Sequence, residues 1–173
     1  MCRHRGNSNG KVVDKNREGE LFMLLAVDVG NTNITMGVFK KREPLLGMFR
    51  MMTKQPRTSD EYGFTICGIL EHRGIDPKEI DTVIIASVVP DIMHSLTSGI
   101  IKYLHTTPVI VSAKTDTGIT VVTDNPSRTG ADRIVNAAAG YAIAKGAAIV
   151  IDFGTATTYD LVGPNRTLEA CII

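Results

Sequence analysis

From Leu24 onward the chain alternates short apolar runs with polar breaks at spacings that define strands and helices. Leu24–Asp28 and Ile34–Lys40 read as two strands, and the small polar turn between them predicts a hairpin. Leu45–Met52 reads as a third antiparallel strand. Thr58-Ser-Asp-Glu61 has capping-box spacing, in which hydroxyl and carboxylate satisfy free backbone N–H groups; it predicts a helix running to His72, closed by Gly74. Asp76-Pro77 opens a short helical turn. Thr82–Ser87 reads as a buried strand, Pro90–Leu104 as a helix, and 108–111 and 118–122 as short strands. Ala131–Lys145 is an alanine-rich helix ended by Gly146, and Ala147–Asp152 with Thr157–Val162 predicts a second hairpin. Hairpins mixed with strand–helix–strand units imply an α/β fold with a mixed sheet.

The flanks lack this pattern. Residues 1–22 are polar and aperiodic, expected to be a disordered extension, with Met23 a candidate natural start. At the other end, Leu168-Glu-Ala-Cys-Ile-Ile173 follows a strand pair where further strands and a covering layer are needed. The expected organisation is a first domain with a connecting helix over 23–145 and the start of a truncated second domain over 146–173.

Composition narrows the function classes. A net charge of +1 and a sequence pI near 7.7 imply no basic face, which argues against nucleic-acid or membrane binding. Apolar runs (83–86, 147–151) fall well short of the ~20 residues that span a bilayer. The N-terminus has no apolar signal core. Cys2, Cys67 and Cys171 lie far apart, giving neither disulfide framework nor metal spacing, so a cytoplasmic protein is expected. His72, His94 and His105 are scattered and read as surface or cap residues. Met48, Met51 and Met52 read as core filler of an edge strand, and Cys67 as a buried small apolar residue. Asp160 reads as a strand-end acid. Neither a Walker A sequence nor GxGxxG occurs, which disfavours those two nucleotide sites.

One turn occurs twice. In 24-LLAVDVGNTNITMGVF-39 and 148-AIVIDFGTATTYDLV-162 an apolar strand ends in Asp, one apolar residue, Gly and a run of Asn or Thr before a second strand. Gly lets the turn's N–H groups approach an anion, Thr and Asn add donors, and Asp adds a charge that favours a cation. Together they describe half of a metal–phosphate site. An ordinary hairpin turn has the same composition, but two copies in the same order weaken that reading and suggest related domains facing across a cleft.

Between the copies, 123-TDNPSRTGADR-133 leads into the alanine-rich helix. Asp132 and Arg133 fall in its first turn, where free N–H groups and the helix dipole favour an anion. A carboxylate aimed outward there suits a general base, and the planar Arg133 fork suits a carboxylate ligand. The plainer alternative is a helix-stabilising acid followed by an arginine paired with a neighbouring acid.

DVGNTN, DNPxxxGADR and DFGTAT, in this order and at these separations, resemble the type III pantothenate kinases of the acetate and sugar kinase, heat-shock cognate and actin superfamily. The resemblance runs from about Met23 to Ile173. It implies an actin-like/ribonuclease H-like ATPase fold and ATP-dependent phosphorylation of pantothenate to 4'-phosphopantothenate, the first step of coenzyme A synthesis. It implies ATP contacts from Asp28, Val29, Gly30, Asn31, Thr32, Asn33, Ile34, Thr35 and Thr155, and Asp132 as proton acceptor. Gly130, Ala131, Asp132 and Arg133 would contact pantothenate. Asp152 would hold a monovalent cation, potassium or ammonium, and Mg2+ would accompany ATP. The family works as a homodimer, implied here for a full-length protein. Two departures stand out: Thr123 replaces a tyrosine common before DNP, and Arg128-Thr129 replaces a Glu-Val pair. The alternatives are an inactive fragment or a nucleotide-binding accessory protein of the same fold, and an acetate- or sugar-kinase relative with another acceptor.

Overall fold

The computed structural model describes residues 22–40 and 45–173. The expected extension therefore lies outside the described residues, apart from Phe22. Strands β1 (Met23–Val29), β2 (Asn33–Lys40) and β3 (Leu45–Met52) form an antiparallel meander. Strands β4 (Thr82–Ser87) and β5 (Val109–Ile110) join it in parallel, giving the order β3-β2-β1-β4-β5. Strict alternation along β1 and β2 places Leu25, Val27, Val29, Ile34, Met36 and Val38 on one buried face.

Two helices cover that face. α1 (Ser59–His72) starts at the expected capping box, with the Glu61 N–H donating to the Thr58 hydroxyl and the Thr58 N–H donating to the Glu61 carboxylate. α2 (Met93–Leu104) follows a 3-10 turn over Pro90–Ile92, so the helix expected from Pro90 begins as a tighter turn. The helices pack closely because Gly63 and Gly99 lack side chains: a Cβ at Gly99 would strike the Ser59 carbonyl, and one at Gly63 the Tyr103 ring. Tyr62, Ile66, Leu70, Leu96 and Ile100 fill the interface above the sheet. Of the three methionines expected in the core, only Met51 is buried; Met48 and Met52 alternate onto the exposed face of edge strand β3.

A second sheet has the order β6-β9-β8-β7. Its strands are β6 (Thr120–Val121), β7 (Ala148–Phe153), β8 (Thr157–Gly163) and β9 (Thr167–Ile172). The segment around Leu168–Cys171 is one such further strand, paired antiparallel with β8 and parallel with β6. β6 precedes residue 146, within the span expected for the first domain, yet it completes the second sheet. Helix α3 (Ala131–Ala144) lies between the sheets, packing on β7, β8 and β9 and touching β4. Ile134 and Ala137 meet Val162, Leu168, Ile119 and Ala86 in a second core. Among the described residues no helix is long and apolar enough to cross a membrane.

Candidate functional site

The two Asp-Gly turns are the ends of β1 and β7. In the first, the Gly30 N–H donates to the Asn33 carbonyl, closing a turn that projects Asn31, Thr32 and Asn33 into solvent. A Cβ on Gly30 would crowd that carbonyl, at 3.3 Å. In the second, the Gly154 N–H donates to the Ala156 carbonyl at 3.2 Å, leaving Thr155 exposed. The turns meet: the Thr32 and Thr155 hydroxyl oxygens are 3.1 Å apart, across 123 residues of sequence. Val29 and Ile34, expected among the ATP contacts, are fully buried and anchor the first turn, while Thr35 is partly buried.

Thr53, which sequence reasoning did not single out, braces the first turn from below. This buried residue donates its hydroxyl to the Gly30 carbonyl at 2.7 Å and its N–H to the Thr32 carbonyl. Nothing in its local sequence separates it from a loop threonine; the contact exists because β3 returns beside β2.

Asp28, Asp132 and Asp152 converge electrostatically. Asp28 is exposed at the end of β1, yet partial desolvation raises its carboxyl above the ordinary carboxylate range, and the charges of Asp132 and Asp152 raise it further. Asp132 is the second residue of α3, and its Oδ1 accepts the Arg133 backbone N–H at 2.9 Å. The preceding Gly130 leaves room for that carboxylate, since a Cβ there would collide with Oδ1. Ala131 is buried in the second core.

Arg133 is turned inward. Its side chain is buried, its Nη1 donates to Asp160 Oδ1 at 2.9 Å, and its Nε lies 4.0 Å from Asp132 Oδ2. This is the pairing with a neighbouring acid that stood as the plainer alternative. Asp160 is no strand-end acid: it sits mid-way along β8 at 0% exposure, facing α3. Burial raises its carboxyl, with Asp132 adding to the effect and Cys171 and Arg133 opposing it. Partial desolvation and the Asp160 carboxylate push the neighbouring Cys171 thiol up to about 12. Asp160 Oδ2 and Thr158 Oγ1 are buried without a hydrogen-bond partner.

Thr123 and Thr129 place their hydroxyl oxygens 2.9 Å apart, closing the TDNPSRTG loop on itself.

A mixed five-stranded sheet of order β3-β2-β1-β4-β5, a second sheet opening on a matching hairpin, and Asp-Gly turns facing each other define an actin-like ATPase fold. Solved structures agree. A reductive activator for a corrinoid iron–sulfur protein superposes with a TM-score of 0.52 at 15% identity, covering 84% of this chain and 30% of that one. The Aquifex aeolicus Ppx/GppA phosphatase gives 0.50 at 9% identity, covering 88% and 51%. The type III pantothenate kinase family model matches residues 24–173. The chain belongs to the type III pantothenate kinase family. A relative from Agathobacter rectalis carrying that name is 54% identical over 145 residues, covering 84% of this chain and 55% of the relative. Relatives from Myxococcus xanthus and Halalkalibacterium halodurans are 44% and 42% identical, each covering 87% of this chain and 59% of the relative. The chain thus spans between 55% and 59% of these relatives' lengths.

Proposed function

We propose that this chain carries the nucleotide-facing and acceptor-facing residues of an ATP:pantothenate 4'-phosphotransferase. Family membership and the meeting of the two Asp-Gly turns beside the Asp132 end of α3 support the reading, the turn contact being the observation that carries it. The exposed hydroxyls and amides of Asn31, Thr32, Asn33 and Thr155 fit a polyphosphate. A Cβ at Gly154 would stand 3.7 Å from the Ala156 carbonyl and 3.8 Å from Asp152 Oδ2, in ordinary contact with both.

Among the described residues, no group of three or more His, Cys, Asp or Glu side chains is close enough to hold one ion. That donor set fits Mg2+, which keeps several waters and takes only one or two carboxylates besides phosphate oxygens, with Asp28 and Asp152 to hand. Asp152, exposed at the end of β7, would equally supply the carboxylate for potassium or ammonium. When bound, the cations neutralise charge on the transferring phosphoryl group.

In this reading the chain's own work is positioning. Asp132 accepts the proton from the primary hydroxyl of pantothenate as that oxygen attacks the terminal phosphorus of ATP, and the leaving oxygen departs in line on ADP. The α3 N-terminus, Gly130 to Arg133, receives pantothenate, the helix dipole drawing its carboxylate while the Arg133 side chain stays paired with Asp160. Thr32 and Thr155 orient the phosphates. The whole protein would act in the cytoplasm as a homodimer.

A coupled assay of ADP release tests this. Pantothenate-dependent turnover is expected from wild type and a loss of about 100-fold or more from Asp132→Asn, the scale of general-base catalysis. Equal rates in the two proteins would remove Asp132 from the mechanism.

A further inference from the structure

We infer that Asp160 is a positioning residue, which fixes the Arg133 guanidinium and through it the aim of the Asp132 carboxylate. The inference rests on the kinase reading for its functional meaning, and on geometry for its substance. Asp160 has 0% exposure in the middle of β8, so it acts only through what it touches. It touches the Cys171 thiol across the strand pair and Arg133, whose Nη1 donates to its Oδ1 at 2.9 Å. A guanidinium is rigid and planar, so fixing one nitrogen and burying the rest fixes the direction of the Nε edge. That edge lies 4.0 Å from Asp132 Oδ2, while the Arg133 backbone N–H holds Asp132 Oδ1 at 2.9 Å. Arg133 therefore addresses both oxygens of Asp132, one through its backbone and one through a side chain whose orientation Asp160 sets.

A plain stabilising ion pair is the competing account, and the structure gives it little support. Asp160 Oδ2 is buried without a partner, as is Thr158 Oγ1 two residues earlier on β8. Burying a half-satisfied carboxylate is a poor means of stabilisation, since well-packed apolar residues often serve as well or better. The arrangement also explains how two acids can share one arginine. The Arg133 charge lies between Asp132 and Asp160, so neither carboxylate confronts the other without an intervening cation.

The test uses this chain as wild type, Asp160→Asn and Asp160→Glu. The second variant keeps the buried charge at the cost of one extra methylene, so the two fail to fold for different reasons. NMR reads two signals that do not depend on turnover. The Arg133 side-chain Nε–H reports on the guanidinium, and the Arg133 backbone amide reports on the Asp132 oxygen it is bonded to. Both are expected to move in each folded variant, the backbone amide in the direction seen for Asp132→Asn. A backbone amide left at its wild-type position in the folded variants overturns the inference. Kinetics add a second arm: Asp160→Asn should lower kcat by about 10- to 100-fold, the scale of a slightly misplaced reacting group, with KM for pantothenate near wild type. If Asp160→Asn and Asp160→Leu lose thermal stability but keep wild-type kcat, the pair is structural and the inference fails. A wild type without pantothenate-dependent turnover would defeat the kinase reading alone, and the NMR comparison would still decide this one.

Discussion

The two sheets are built from similar apolar strands but stand in different surroundings. In the first, β1 and β2 send one set of side chains under α1 and α2, and Leu25 there has 0% exposure. In the second, α3 covers only the face carrying Val150, Asp160 and Val162. The opposite face presents Ile149, Ile151, Phe153, Tyr159, Leu161 and Ile172 to solvent, with Ile151 at 46% and Phe153 at 82% exposure. Cross-strand register groups them into one patch, since Ile149 faces Leu161, Ile151 faces Tyr159, and Tyr159 faces Ile172. A sheet apolar on both faces has the sequence character of one covered on both faces. Apolar content alone therefore does not separate a completed layer from an open one.

Three substitutions probe that contrast, beginning with the largest expected effect. Arg133→Met strands Asp160 as an unpaired buried acid and should cost about 3–5 kcal/mol in denaturant melts. A cost near zero would mean that the covered face of the second sheet is as loosely held as its bare one. Leu25→Ala should cost about 2–5 kcal/mol as a large-to-small change in a full core, whereas Ile151→Ala on the bare face should stay within about 0.5 kcal/mol. Comparable costs at the two positions would erase the distinction between the sheets.

The smallest effect belongs to the edge where the sheets meet. Partial desolvation, Asp132 and Asp152 raise the Asp28 carboxyl in the folded state, so that state holds the proton more tightly than the unfolded chain does. Stability from this group is fully present below the unfolded value of 3.8 and is lost as pH rises through the folded value. Asp28→Asn, which resembles the protonated acid, should raise Tm modestly at neutral pH and leave it unchanged below that value. A gain in Tm that is the same at both pH values would show that repulsion at this site is not its origin.

Much of this was legible in the chain. The capping box at Thr58, the apolar alternation of β1 and β2, and the repeated Asp-Gly turn are local patterns, and local hydrogen bonding realises them. What escaped depends on distant partners. Asp160 read as a strand-end acid because its burial is decided by α3, 27 residues earlier, and not by its neighbours in β8. Thr53 reaches the first turn only because β3 folds back beside β2. Residues 167–172 lacked clean alternation, and only pairing with β8 and β6 makes them a strand. Met48 and Met52 were misplaced because edge-strand β3 has a second face that none of the described residues covers.

The order of strands has a mechanical consequence. All strands of the first sheet lie before residue 111 and all strands of the second after residue 119, so a single run, Val111–Ile119, tethers one sheet to the other. Whatever alignment the two phosphate-facing turns keep is due to non-covalent adhesion: α3 against β4, and one hydroxyl contact between Thr32 and Thr155. A protease cut in that tether would leave two pieces whose continued cohesion measures how firmly the jaws are set, and how easily they could swing.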